Sequence, residues 1–522
     1  MGVAVVIVGV AVPVGVGLGG DGARRPGGLP ERARISRQAA AEPTRYAVAP
    51  RAPRTVPAVR VYRAGGGPGW RPVDGARVVA RAGALADEAR RVAGELGLGS
   101  GSGRGRTGDV ELALDKGVPG GREAYRITVP VNGPVRITGP SDAGVFYGTR
   151  TLLQAVRSGG GLPPGVIDDQ PDRAQRGFML DIARKHFPRA WIEERLVELA
   201  DLKYNQLGLH FSDDQAFRIE SDTHPEVVSD PHLTKADVRR IVALARELHI
   251  EVIPEIDSPG HLGAVLAAHP ALRLRNADGD VVPGAVDVTK PAAARLVDEL
   301  LGEYVPLFPG RYWHIGGDEY APLLSTDPEA RYPHLAAAAR RKYGPNGRVQ
   351  DLAVGWLNDR AKVPVKAGKR VKAWNDGIYP GGVAKTPKDR EVEYWTGKEY
   401  RARDPQLYLA EGRRLVNLND EYLYYVLGEP NDFAYPTGRR IYEEWTPAVV
   451  RGTAPVPGGL SGPDRILGAR LAVWCDLAGA QTTDQVAAGI RLPLAALAQK
   501  VWDPRPPALS WAAFQELAGR VR

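Results

Sequence analysis

Eight apolar runs of strand length recur through the second and third thirds of this chain, and each ends in polar or aromatic side chains. The runs are Phe178 to Ile182, Leu207 to Phe211, Ile250 to Ile256, Tyr312 to Ile315, Val371 to Trp374, Val392 to Trp395, Leu415 to Leu418 and Leu471 to Trp474. Between several of them lie amphipathic segments of helical period, such as RAWIEERLVELADLKY and TKADVRRIVALARELH. Repeated strand-helix units of this number predict an α/β fold, a (β/α)8 TIM barrel over residues 175–505, with some long loops. A doubly wound open sheet also alternates strand and helix. It usually has fewer strands and a glycine-rich first turn, and no GxGxxG follows the first run here.

The barrel does not account for all 522 residues. Over 56–170, short alternating runs (PAVRVYR, DVELAL, AYRITV, PVRITG) mix with helical patterns (ALADEARRVAGELG, AGVFYGTRTLLQAVRS). These predict a small N-terminal α+β accessory domain without a constellation of chemical groups, a scaffold for its neighbour. Residues 506–522 read as a C-terminal helix packed on the barrel. Residues 21–55, rich in Pro, Arg, Gly and Ala and lacking periodicity, read as a disordered linker. Residues 1–20 carry no charge and are mostly Val, Ala and Gly, the pattern of a secretory signal without its usual basic start, and so point to a secreted protein. With Gly and Pro13 in it, that segment makes a poor membrane span.

Composition excludes some classes of function. The net charge of +8 comes from arginines spread along the chain and gathered early (Arg24, Arg25, Arg32, Arg34, Arg37), with no basic stripe interleaved with aromatics, so no nucleic-acid partner is expected. Cys475 is the only cysteine, which leaves no intramolecular disulfide.

The ends of the eight runs hold the chemistry. They carry Asp181 and Arg184; His210, Asp213 and Asp214; Glu255, Asp257 and His261; Asp318 and Glu319; Trp374, Asn375 and Asp376; Trp395; Asn419 and Tyr422; Trp474 and Asp476. In a barrel, C-terminal strand ends converge on one mouth. One Asp after a strand is commonly a helix cap; polar and aromatic side chains on all eight ends, most of them acids and indoles, are not explained that way. The adjacent pair in YWHIGGDEY poses its own problem, because successive strand side chains face opposite ways. An irregular strand end at Gly316 and Gly317 would turn both carboxylates to one side.

RGFMLDIARKHFP, LGLHFSDDQAFRIE, IPEIDSPGH, WHIGGDE, AWND and VWCD, in that order and spacing, resemble the β-N-acetylhexosaminidases of glycoside hydrolase family 20. The resemblance covers residues 56–505 and implies an exo-acting retaining hydrolase that uses neither cofactor nor metal, acting on glycans with a terminal N-acetylhexosamine. It implies substrate-assisted catalysis, in which the 2-acetamido oxygen of the sugar attacks the anomeric carbon. Glu319 would then be the acid/base and Asp318 the carboxylate that orients the acetamido group and stabilises an oxazolinium intermediate. For Glu319 to start protonated, its neighbours should raise its pKa relative to that of Asp318. His261 with either Asp213 or Asp214 would support it. Trp374, Trp395 and Trp474 would line the sugar pocket, Arg184 would hold the 3- and 4-hydroxyls, and Tyr422, with Tyr424 as rival, would bond the acetamido oxygen. Trp313 reads as core.

Two positions depart from the family pattern: Asp476 replaces the usual Glu after the last strand, and Ala216 replaces a usual Gly. Asp476 resembles the lacto-N-biosidase branch, which releases a disaccharide, whereas Arg184 fits an unsubstituted terminal sugar. Two other classes compete: a non-catalytic carbohydrate-binding barrel, and a metal-dependent hydrolase with Asp213, Asp257 and Glu319 as ligands. The intact acids and indoles oppose the first, and the lack of a paired-histidine zinc motif opposes the second.

Overall fold

The computed structural model describes residues 51–396, 398, 402–428 and 433–522. The signal segment 1–20 and the linker up to residue 50 lie outside the described residues. Eight parallel strands form the barrel: β1 (Gln175–Asp181), β2 (Gln206–His210), β3 (Glu251–Glu255), β4 (Tyr312–His314), β5 (Arg370–Trp374), β6 (Glu391–Tyr394), β7 (Leu415–Asn417) and β8 (Ile466–Trp474). Each expected run lies on its own strand. β8 pairs with β1 from Gly468 to Val473 and with β7 at its lower end, and this closes the sheet.

The seventh position is split. β7 stops at Asn417, the chain turns through Asn419, and a separate strand, Tyr424–Val426, pairs with Ala472–Trp474 at the upper end of β8. That turn decides which tyrosine faces the mouth.

Toward the N-terminal ends of the strands the barrel interior is ionic. Lys372 on β5 lies 3.0 Å from Glu391 and 3.1 Å from Glu393 on β6, and Arg470 on β8 is 3.0 Å from Glu393. Lys372 also donates to Gln175 at 2.7 Å and Arg470 to Gln206 at 3.0 Å. Room for the arginine comes from Gly177, where a Cβ would lie 2.4 Å from Arg470 Cγ. Buried acids facing fixed cations with further hydrogen bonds are the arrangement in which such charges are tolerated.

The accessory domain is a seven-stranded mixed sheet in the spatial order Val61–Ala64, Gly165–Asp169, Tyr125–Val129, Val135–Gly139, Val110–Leu114, Arg77–Ala80, Gly99–Ser102, with helices Ala86–Leu96 and Asp142–Gly159. Its joint with the barrel is polar and buried. Gln154 donates to the Asp201 carbonyl at 2.6 Å, and Arg150 pairs with Asp201 at 3.1 Å. Lys203, fully buried, donates to Tyr125 and Thr151 at 2.8 Å each, and burial brings its pKa down to about 8. The linker expectation is corrected at its end: Thr55 is buried and Val56 N donates to Gln154 at 2.6 Å, so the chain is fixed before residue 56. The terminal helix Trp511–Arg520 stacks Phe514 on Tyr442 of the helix Gly438–Glu444 at 4.2 Å. No helix among the described residues is long and apolar enough to cross a membrane.

Candidate active site

At the C-terminal end of β4 the backbone leaves the sheet. Gly316 and Gly317 take φ of +65° and +105°, and Glu319 itself takes +46°. A Cβ on Gly316 would lie 1.6 Å from Asp257 Oδ1, and Gly317 N donates to that same oxygen at 2.7 Å. The two glycines are therefore needed for space as well as for conformation. Left-handed geometry at Glu319 costs about 1 to 3 kcal/mol and persists only where the surroundings impose it. Asp376 helps impose it, because its Oδ2 accepts Glu319 N at 2.9 Å while its Oδ1 accepts the Trp395 indole N–H at 3.1 Å.

The outcome is that two sequence neighbours reach one atom. His261 Nε2 lies 3.5 Å from Asp318 Oδ2 and 3.3 Å from Glu319 Oε2. Like Glu319, His261 is in the left-handed region, at φ +53°. Its Nδ1 is 3.2 Å from Asp213 Oδ1. The second oxygen of Asp213 binds His210 Nε2 at 2.9 Å and Arg184 at 2.8 Å. His210 Nδ1 in turn lies 3.1 Å from Glu255, which accepts the Trp374 indole N–H at 2.7 Å and sits 3.0 Å from His314. One polar chain thus runs from Trp374 through Glu255, His210, Asp213 and His261 to the two acids.

The two candidate aspartates lie in different surroundings, and Asp213 is the one in contact with the His261 ring. Asp213 is buried in the chain, whereas Asp214 is exposed and its Oδ1 accepts Gly263 N at 2.9 Å, holding the following loop. The geometry corrects the tyrosine. Tyr422 donates to Glu444 at 3.2 Å and lies under Arg440, outside the mouth. Tyr424, placed by the split strand, stacks on Trp395 at 5.6 Å and 9° and lies 6.0 Å from Trp474. Trp374, Trp395, Trp474 and Tyr424 share one apolar cluster, while Trp313 is fully buried in the main core. Arg184 lies 5.5 Å over the Trp474 ring and pairs with Asp181 at 3.1 Å. Asp476 is exposed as a residue, yet burial of its carboxyl raises its pKa, with Arg184 opposing the shift.

The proton order differs from expectation. Burial and the Asp318 charge push Asp257 well above the carboxylate range, and burial raises Asp318 despite the nearby imidazolium. Two acids out of water cannot both ionise, so the deeper Asp257 keeps the proton and Asp318 is the anion. Glu319, expected to be raised, is instead lowered, first by His261. Burial would lower His261, but Asp318, Asp213 and Glu319 together hold it well above the ordinary histidine range. Asp376 is pushed up to about 7 by burial and Asp318. The mobile proton beside Glu319 thus sits on its imidazole partner.

Glu255, Asp257, His210 and Asp376 stood at strand ends in the sequence without an assigned role in the proton network. Their sole signal was position. The suggested ligand set Asp213, Asp257 and Glu319 is not brought together. Among the described residues the close donor sets in the mouth are Asp213, Asp214, His261 and Asp257, His261, Asp318. Both depend on a histidine already engaged with Asp213.

Comparison with known proteins gives a consistent result. Residues 174–505, well over half of the chain, match the profile of the glycosyl hydrolase family 20 catalytic domain, and residues 52–170 match that of domain 2 of the same family. A lacto-N-biosidase of Bifidobacterium bifidum is 30% identical over 481 residues, covering 90% of this chain and 41% of its own length. A β-hexosaminidase of Porphyromonas gingivalis is 33% identical over 321 residues, covering 56% of this chain and 40% of its own. The chain therefore spans about two fifths of the length of these two relatives. Among solved structures, the GH20 β-N-acetylhexosaminidase of Streptomyces coelicolor A3(2) superposes with a TM-score of 0.70 at 27% identity, covering 90% of this chain and 95% of that one.

Proposed function

Because the chain belongs to glycosyl hydrolase family 20, we propose that it is an exo-acting, retaining β-N-acetylhexosaminidase working by substrate assistance. The observation that carries the reading is the convergence of Asp318 and Glu319 on one His261 nitrogen, at 3.5 and 3.3 Å, beside a wall of three indoles and Tyr424. Indole faces cover the C–H surface of a pyranose, and Tyr424 offers a hydroxyl to the acetamido oxygen. Ionised Asp318 accepts the acetamido N–H and, as the acetamido oxygen attacks the anomeric carbon, stabilises the positive charge that develops on the ring formed. The leaving oxygen takes its proton from Glu319. That proton is stored on the His261–Glu319 pair, so the lowered pKa of Glu319 is no obstacle: charge building on the leaving oxygen draws the proton across the pair. Water then adds to the anomeric carbon as Glu319 takes a proton back, and the configuration is retained.

Two substrates test this. A β-glucoside, which lacks the acetamido group, should be turned over very poorly, and rates comparable with the N-acetylglucosaminide would overturn the mechanism. Azide should restore aryl-glycoside turnover to Glu319→Ala, since it attacks the oxazolinium without needing a base. It should do far less for Asp318→Ala, where that intermediate forms poorly.

A second reading is favoured by Asp476 and by the likeness to the lacto-N-biosidase over 90% of this chain: release of a disaccharide, with the shorter acid leaving room at O4 or O6. Products from chitobiose and from lacto-N-tetraose separate the two. Free N-acetylglucosamine from chitobiose supports exo-action, and lacto-N-biose from the tetraose supports the alternative.

A further inference from the structure

Away from the mouth, on the outer side of the same two loops that carry Asp213 and His261, two histidines meet one carboxylate oxygen. His224, in the loop after β2, places Nδ1 2.9 Å from Glu226 Oε1. His269, which ends the short helix Gly263–Ala268 after β3, places Nε2 3.0 Å from that same oxygen. The rings are 6.1 Å apart at 82°, so each points a nitrogen inward instead of stacking. One donor atom from each of the three residues lies within 4.8 Å of the others.

Two features separate this from a chance surface ion pair. First, the far nitrogen of His224 is taken: Nε2 lies 2.9 Å from Glu299 on helix Pro291–Tyr304. A carboxylate on the distal N–H is the usual support of a metal-binding imidazole, fixing its tautomer and orientation. Second, the loop is held without help from any ion. Glu303, one turn beyond Glu299, accepts Ser221 Oγ at 2.7 Å and Asp222 N at 2.6 Å, and His224 N donates to Ser221 Oγ at 2.9 Å. Pro225 stiffens the step to Glu226. Tetrahedral zinc ligands at about 2.0 to 2.1 Å stand about 3.3 Å from one another. The observed 2.9 and 3.0 Å separations need only a small opening of flexible side chains to reach that.

We propose that His224 Nδ1, His269 Nε2 and Glu226 form a binding site for a divalent first-row transition ion of the zinc class, with Glu299 as the outer support of His224. Two imidazoles and a carboxylate are a donor set suited to Zn²⁺, with solvent completing the shell from the exposed side. The ion clips the loop after β2 to the loop after β3, which bear Asp213 and His261 at their inner ends. It takes no part in the bond-breaking step.

Calorimetric titration of the full chain, without an affinity tag and stripped with chelator, against ZnCl2 tests the site. One equivalent should bind, His224→Ala and His269→Ala should each weaken it at least tenfold, and at equal zinc the thermal midpoint should rise more in the wild type than in any of the variants. Glu299→Gln, which removes no ligand and leaves the loop clamp of Glu303 intact, should weaken binding about 10- to 100-fold. Absence of saturable binding, or affinity unchanged in His269→Ala and Glu299→Gln, would overturn the proposal. Zinc binding lost in His261→Ala but kept in His269→Ala would overturn it as well, by placing the ion in the barrel mouth.

Discussion

The two ends of the barrel interior both bury carboxylates against basic side chains and do opposite things. At the lower end, Glu391 and Glu393 face Lys372 and Arg470, and against the cost of burial these cations hold both acids below their usual range. At the mouth, Asp181, Asp213, Glu255, Asp257, Asp318, Glu319 and Asp376 outnumber their partners, and apart from Arg184 those partners are histidines. The mouth acids divide: Asp257, Asp318 and Asp376 go up while Asp213, Glu255 and Glu319 go down. Acids matched one-sidedly to Lys and Arg make a strut. Unmatched titratable ones make a proton store, which is how perturbed groups come to mark functional sites.

The comparison breaks first at the two neighbouring acids. Glu319→Gln should lower turnover of substrates with poor leaving groups by about 10² to 10⁴, and much less for activated aryl glycosides. Asp318→Asn should lower both kinds by about 10² to 10³, because charge stabilisation is needed whatever leaves. Parallel losses in the two variants on both substrate types would mean the roles in GGDEY are not divided in this way.

At the lower end, Lys372→Met should destabilise the fold by about 3 to 5 kcal/mol, by stranding buried Glu391 and Glu393. Denaturant melts read the loss, and kcat per folded molecule should hold. A fall in kcat with unchanged stability would place the lysine in the chemistry.

The third test is pH. Burial disfavours charge on His210, but Glu255 and Asp213 outweigh it and push its pKa up to about 10. A folded pKa above the unfolded value of about 6.5 means the stabilisation is fully present below pH 6.5 and is lost as pH rises to about 10. The stability gap between wild type and His210→Asn should therefore narrow from pH 6.5 to pH 10. A gap that stays constant would mean His210 is neutral in the fold.

The smallest effect distinguishes the tyrosines. Tyr424→Phe should cost about tenfold in kcat/KM, one hydrogen bond to the ligand. Tyr422→Phe, losing only its contact with Glu444, should leave kcat/KM unchanged. The reverse result would return the role to Tyr422.

These tyrosines also show where reading the sequence stopped. All eight strands, the mouth and the adjacent acids were legible, because apolar runs and their polar ends are local patterns. YLYY offered two hydroxyls of the same strand parity, and the choice turned on a break between β7 and Tyr424 that pairing with β8 imposes. Three accessory strands went unread, among them Gly99–Ser102, whose GSGS carries no side-chain signal and is held by pairing with Arg77–Ala80.

The sequence by itself determined the layout: strand count, the gathering of acids and indoles at one rim, and the glycines that let the chain twist after β4. Tertiary structure alone decided the proton order. Glycines next to an Asp-Glu pair say that both can turn inward, not which will be charged. That depends on Asp257 lying deep beneath Asp318 and on His261 resting between Asp213 and Glu319, residues brought together from three different strand ends. Electrostatic energy falls off with distance in space, and separation along the chain carries no record of it.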